Sequence, residues 1–398
     1  METDLVPGKR GGTALRSLVV WFMALAAALG TAAVYPLQPA IAEVAGSLHT
    51  SFAAIGTALA CGPIGYLVGL ALLVPLVDQF APRTVVSVQF GALAGALAAN
   101  AAVGSPWLLG FVVGLIGAGS SVGAQLSSIA GRFAGAARQA TALGIVTAGI
   151  SAGVLAGRIV GGWLTDSIGW RGMLSVFAVA CAAVAVVARF VLPAAQGSAA
   201  VDYLATLRAT PGLYTRFPAL RRAAGRGALW FFAFCAVWAG LAVALAQPPF
   251  SYSAEQIGMY AFAGLLGVVA TRVSGAWTDR IGAQRVIVAG LVLAIAATAA
   301  LSVFLSHAAV TLVCLGLFDA GLFAAQVANQ STVLAIDPAA PARFNSAYMI
   351  VYFIGGTSGT AIGAAGVGWF GWPATAALAA AAIAAALALT PTPSRTRI

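Results

Sequence analysis

PAAQGSAAVDYLATLRATPGLYTRFPALRRAAGRG, Pro193 to Gly227, is the longest polar stretch between apolar runs in this 398-residue chain. Its reading decides the fold, because it separates six hydrophobic runs from six more. The chain is 61% hydrophobic and 8% charged, which leaves too few polar side chains to coat a soluble domain. An integral membrane protein is the class that remains. Runs of about 20 residues each cross about 30 Å of hydrocarbon at 1.5 Å per residue. They are expected at 17–40, 51–77, 84–104, 107–129, 139–164, 172–192, 227–247, 253–277, 285–306, 308–334, 343–368 and 372–389. The chain thus divides into a tail (1–16), a first six-helix bundle (17–192), a linker (193–226), a second bundle (227–389) and a tail (390–398).

The net charge of +10 would suggest a nucleic-acid partner in a soluble protein, but here position matters more than sum. Alternate loops carry Arg83, then Arg132 and Arg138, then Arg208, Arg216, Arg221, Arg222 and Arg226, then Arg280 and Arg285, then Arg343. The tails add Lys9, Arg10, Arg395 and Arg397, whereas the opposite loops hold Arg171 alone. By the positive-inside rule both termini and the linker are expected in the cytoplasm, and no nucleic-acid partner is needed to explain the charge. Contact with anionic lipid is a secondary expectation. Cys61, Cys181, Cys235 and Cys314 lie in apolar runs without metal-ligand spacing and read as small core residues. No cleavage pattern precedes the first run, so it is expected to stay as helix 1.

The two halves repeat each other. Asp78 and Asp279 lie 201 residues apart, and Gly114-Leu115 and Gly316-Leu317 lie 202 apart. The same offset relates Gly169-Trp170 to Gly371-Trp372, and Gly153, Gly157 and Gly161 to Gly355, Gly359 and Gly363. With 47 glycines single coincidences are cheap, but four in one order indicate duplicated bundles in the same orientation. Together with Gly149 these glycines, four residues apart, form stripes along which another helix can approach closely.

The loop GAWTDRIGAQR, Gly275 to Arg285, resembles the signature between helices 8 and 9 of the major facilitator superfamily. Its first-half copy, VPLVDQFAPR, keeps Asp78 and Arg83 but has Gln79 and Ala81 where arginine and glycine are usual. YPLQPAIAE, AQPPFSYSAEQIG and QVANQSTVLAIDPAAPARFNSAYM extend the likeness to the arabinose-efflux-permease-like group of bacterial inner-membrane transporters. The resemblance implies an all-α membrane protein, twelve transmembrane helices in two parallel six-helix bundles. It also implies drug/proton antiport by alternating access, without naming a substrate. In that family a proline is usual in helix 5 where this chain has Arg158.

Apart from family, the loop residues admit a physical reading. A carboxylate at a helix end with arginines one and five or six residues on can pair across to neighbouring helix ends in one conformation and release in another. Asp279, Arg280 and Arg285, with Asp78 and Arg83, are candidates for such a cytoplasmic latch; a solvated basic turn is the alternative.

Enzyme chemistry is not expected: there is no nucleophile-base-acid set, no metal spacing, and the single lysine, Lys9, belongs to no phosphate loop. No cofactor is expected either. Asp319, by contrast, lies about ten residues or roughly 15 Å into helix 10, near the midplane. A carboxylate there can take up and release a proton as its access to water changes. The alternative is a structural acid bonded to a neighbouring helix. Asp319, Phe323, Gln326 and Gln330 share a helix face, and helix 11 adds Asn345, Tyr348 and Tyr352 on one stripe. Together they are expected to wall a polar cavity, with interhelical hydrogen bonding as the other reading. Gln38 on helix 1, Gln125 on helix 4, and Trp230 and Trp238 on helix 7 are further cavity candidates; Trp107 and Trp163 read as interface anchors.

Arg158, in AGRIVGGWLTDSIGWR, sits one step round helix 5 from its glycine stripe. One reading has it snorkel to the headgroups near Asp166. The other turns it into the bundle, holding the outer half closed and sensing Asp319. These readings converge on a monomeric secondary transporter exchanging a small organic solute for protons. A solute importer, or a sensor that keeps the fold without transport, stays open.

Overall fold

The computed structural model describes residues 17–134, 138–194, 212–337 and 341–390. The tail 1–16, linker residues 195–211 and the tail 391–398 lie outside them. Among the described residues every regular element is helical. The first bundle comprises α1 (Ser17–Ala32), α2 (Phe52–Leu72), α3 (Pro82–Ala101), α4 (Pro106–Phe133), α5 (139–168) and α6 (170–191). The second comprises α7 (Pro218–Ala246), α8 (Ala254–Ile281), α9 (Ala283–Phe304), α10 (Ala308–Leu334), α11 (341–370) and α12 (372–388). Large apolar side chains such as Leu18, Phe111, Val179, Val269 and Phe370 stand exposed, as a lipid-facing surface requires.

Local chemistry sets the starts and stops. Ser51 and Ser105 accept hydrogen bonds from the N–H groups of Ala54 and Leu108, capping α2 and α4, and Pro82, Pro106 and Pro218 occupy first turns, where a missing N–H costs nothing. The sharp breaks between α5 and α6 and between α11 and α12 fall at Gly169 (φ 75°) and Gly371 (φ 80°). A side chain disfavours that conformation, which is why both loops are single glycines followed by a buried tryptophan. The main-chain N–H of Trp170 donates to Glu43 Oε1 at 3.1 Å, and the Trp372 indole donates to the Leu301 carbonyl at 2.8 Å.

One sequence expectation is corrected: the first helix ends at Ala32 instead of running to residue 40. Pro36 and Pro39 cannot continue the hydrogen-bond ladder and push the preceding residues out of helical geometry, so residues 33–40 form successive turns before the short helix Ile41–Ser47. Gln38 therefore sits on an unwound segment.

The duplication is visible in the packing. α4 and α10 begin at Pro106 and Ala308, and α5 and α11 at Gln139 and Pro341, each pair 202 residues apart. Gly149, Gly153, Gly157 and Gly161 of α5 lie on the backbone of Ala24, Ala28, Ala32 and Pro36 in turn. Gly355, Gly359 and Gly363 of α11 lie on Ala228, Phe232 and Ala236 of α7 in the same four-residue steps. A Cβ at any of these positions would overlap main-chain atoms, so backbone sets the distance between helices.

The halves meet at the end away from the basic loops. Gly162 lies on the Ala254 carbonyl and Gly258 on the Arg158 carbonyl, sealing α5 against α8. Gly56 of α2 meets Ala364 of α11. Gly359→Val should therefore lower the thermal unfolding midpoint markedly, a penalty of about 1–3 kcal/mol or more from overpacking against an unyielding backbone. Gly144→Ala, at a position with open space, should leave the midpoint of the purified protein unchanged.

Candidate functional site

Unwinding of residues 33–40 turns Tyr35 and Gln38 toward the seam between the bundles, where α5 brings Arg158. There a cavity of about 230 Å³ opens. The first bundle contributes Thr31, Tyr35, Gln38, Tyr66 and Arg158 to its wall, and the second contributes Phe231, Phe234, Phe323, Tyr352, Phe353 and Thr360. Aromatic rings dominate: Phe231 stacks on Tyr352 with centroids 3.9 Å apart, and Tyr66 meets Phe353 across the seam at 5.2 Å.

Arg158 is 3% exposed, and it does not snorkel. Its Nε donates to Gln38 Oε1 at 2.7 Å, and its guanidinium lies over the Trp238 ring at 4.2 Å and the Tyr35 ring at 4.9 Å. The Trp238 indole N–H in turn donates to Asp319 Oδ1 at 3.2 Å. An indole therefore stands between cation and carboxylate, its electron-rich face to the guanidinium and its N–H edge to the acid. Asp319 is 2% exposed, sealed by Gly264 and Gly267 of α8, and it lies behind the cavity wall. This series of contacts joins α5 of one half to α7 and α10 of the other.

Asp166, the alternative partner for Arg158, is engaged elsewhere. Its two carboxylate oxygens accept the N–H groups of Ala254 (3.1 Å) and Glu255 (3.0 Å), so an acid of the first half caps the first turn of α8 in the second.

The expected polar wall is corrected. Of the face Asp319, Phe323, Gln326 and Gln330, Phe323 alone lines the cavity; of the α11 stripe, Tyr352 does. The remaining polar groups tie helices together nearer the basic end. Arg226, buried, donates through Nε (2.8 Å) and Nη2 (2.6 Å) to Asn329 Oδ1 and through Nη1 to Thr390 (3.3 Å). Asn329 donates to the Ala223 carbonyl at 3.0 Å, the Tyr348 hydroxyl donates to Gln326 at 2.6 Å, and Gln330 donates to Asn345 at 2.8 Å. Gln125 donates to the Leu73 carbonyl at 2.6 Å, within the first bundle. Trp230 is buried behind Tyr352 and Phe323, and Trp238 lines a small crevice next to the main cavity.

Of the latch residues, Asp279, Arg280 and Arg285 stand exposed around the turn made by Gly282 (φ 89°). In the first half Arg132, at the end of α4, donates to the Val77 carbonyl at 2.7 Å, and the Arg83 N–H donates to the Pro193 carbonyl at 3.2 Å. Asp78 lies on the short helix Leu76–Gln79; its side chain is outside the described residues. Sequence reading missed Tyr35, Tyr66, Phe231, Phe234 and Phe353, as well as Asn329 and the cap at Asp166. The paired prolines of YPLQP were the available signal for the unwound segment.

Asn329→Leu should cost about 3–5 kcal/mol of stability by leaving the Arg226 guanidinium buried without its main acceptor, read as a lowered unfolding midpoint. Asp166→Ala should loosen the α5–α8 seal by about 1 kcal/mol, roughly five-fold in the open fraction. Faster labelling of a cysteine placed at Thr31 by an impermeant thiol reagent would report it.

Residues 20–356 match the family described as Major Facilitator Superfamily. The "Uncharacterized transporter YgaY" of Escherichia coli O157:H7 is 29% identical over 360 residues, covering 90% of this chain and 91% of that one. A Streptomyces coelicolor protein, SCO4007, whose name also describes a transporter, is 29% identical over 371 residues, covering 92% and 85%. Among solved structures, a bacterial homolog of the human lysosomal transporter Spinster superposes with a TM-score of 0.72 at 15% identity, covering 96% and 95%. The nucleoside transporter NupG does so with 0.76 at 13%, covering 94% and 100%. At those identities the likeness establishes the fold.

Proposed function

The chain belongs to the major facilitator superfamily and is a multi-pass membrane transporter. On that premise we propose that it exports a small organic molecule across the bacterial inner membrane in exchange for protons, by alternating access, with the basic loops and both termini in the cytoplasm. The observation that carries this reading is the series Gln38–Arg158–Trp238–Asp319, which spans the two halves beside the cavity.

A buried carboxylate without an ion-pair partner is costly in a membrane interior, so a bundle that keeps one gains something from it. With Asp319 ionised, its charge attracts Arg158 through the polarised indole and draws the halves together where α5 meets α8. Protonation removes that attraction, so the proton becomes a term in the balance between closed and open arrangements. The halves already meet at the end away from the basic loops, which supports an inward-facing arrangement. The Spinster homolog was likewise solved inward-facing. Because charge is sparse elsewhere in the spans, Asp319 is the group we assign as the proton site, with Asp279, Arg280 and Arg285 as the cytoplasmic latch.

Asp319→Asn keeps the size and the indole contact but cannot carry the proton. It should abolish concentrative transport while expression and the unfolding midpoint stay near wild type. Everted vesicles offered a panel of drugs, sugars and organic acids, with proton release read on addition, provide the measurement. Unchanged accumulation in the mutant would remove Asp319 from coupling.

A further inference from the structure

We infer that the cavity selects small organic anions with a flat apolar body, and that the terminal nitrogens of Arg158 receive the negative end. The site stands on geometry alone; calling its occupant the substrate rests on the transport reading above.

Among the residues lining the cavity, Arg158 is the one charged side chain. Its Nε is held by Gln38 at 2.7 Å, while Nη1 and Nη2 donate to no protein atom among the described residues. That leaves a guanidinium fixed at one nitrogen with its planar fork unspent, the geometry that binds a carboxylate through two parallel hydrogen bonds. A cation this deeply buried needs a counter-charge, and Asp319 sits on the far side of the Trp238 indole. On the cavity side no lining residue is acidic, so the open edge of the fork presents its positive charge to whatever enters.

The rest of the wall defines the body of the ligand. Phe231, Phe234, Phe353, Tyr66 and Tyr352 surround the space with ring faces and edges. A cavity on the order of 150 Å³ takes up a benzene ring, so about 230 Å³ accommodates one ring with a charged substituent. Organic cations meet a fixed positive charge and no carboxylate on the wall. Sugars carry hydroxyls all round, whereas Thr31, Gln38 and Thr360 and the tyrosine hydroxyls are scattered over a wall that is otherwise apolar.

This assignment also explains why exchange could be obligatory. Ionised Asp319 and a bound carboxylate draw on the same guanidinium from opposite sides. Protonating Asp319, or filling the fork of Arg158 with substrate, each loosens the Arg158–Trp238–Asp319 link between the halves. The empty, deprotonated protein keeps that link and stays where it is.

The test uses the purified full chain and three probes that share a ring and differ in charge: benzoate, benzamide and benzylamine. Binding is read by tryptophan fluorescence and by shift of the unfolding midpoint. Benzoate is expected to bind at least ten-fold more tightly than the other two, and Arg158→Gln is expected to erase that preference. Because Arg158→Gln could fail to fold, Gln38→Glu provides an independent variant: it retains the arginine but supplies a carboxylate beside it, and should likewise abolish the preference. Absence of a benzoate preference in the wild-type protein, or its persistence in both variants, overturns the inference. If benzoate binds through Arg158 yet moves no protons in vesicles, the coupling reading fails and the anion site stands. If benzylamine binds more tightly and drives proton exchange, the anion site fails and the coupling reading stands.

Discussion

The close approach of α5 to α1, and of α11 to α7, is the constraint on which the rest depends. In hydrocarbon no hydrophobic effect pulls two helices together, so packing has to come from shape and from small residues that let backbones touch. Glycines at every fourth position of α5 lie on successive turns of α1 and then on Pro36, which carries the contact past the helix end into the unwound segment. That extension is what sets Gln38 against Arg158. A larger residue at Gly157 or Gly161 would hold the segment away from α5, and the guanidinium would lose the acceptor that orients it.

The electrostatic arrangement follows from this scaffold. A buried cation and a buried anion in contact would neutralise one another in every conformation. Separating them with an indole keeps each polarised toward the other while leaving both able to respond to a ligand. The second buried arginine, Arg226, is treated differently. Asn329 and Thr390 accept from its three nitrogens. One guanidinium is spent on holding helices, the other is kept partly free.

Much of the fold was legible in the sequence because lipid imposes a simple code. Helix number, the duplication and the glycine stripes all follow from run length and spacing. The Gly-Trp pairs at 169 and 371, legible in the sequence as part of the repeat, are in the structure the two breaks between α5 and α6 and between α11 and α12. The cavity was less legible. Asp319, Phe323, Gln326 and Gln330 do share a helix face, yet Trp238, Tyr348 and Asn345 from neighbouring helices bond to all of it but Phe323. Spacing along one helix gives its face and not which neighbours cover it. Aromatic wall residues were hidden for a related reason: in a chain this apolar, Phe231 and Phe353 read like any lipid-facing residue until a partner helix is placed.

The cap that Asp166 forms on α8 has a consequence for how the two sides of the gate tolerate change. The bonds run from a side chain in the first half to main-chain N–H groups in the second. Every residue except proline supplies such a group, so the partners at 254 and 255 are defined by backbone and not by identity. In a mutational scan the gate would look one-sided, with a sharply restricted position 166 facing a permissive pair. Pairwise covariation across this contact would be weak, although it is one of the direct polar contacts between the halves.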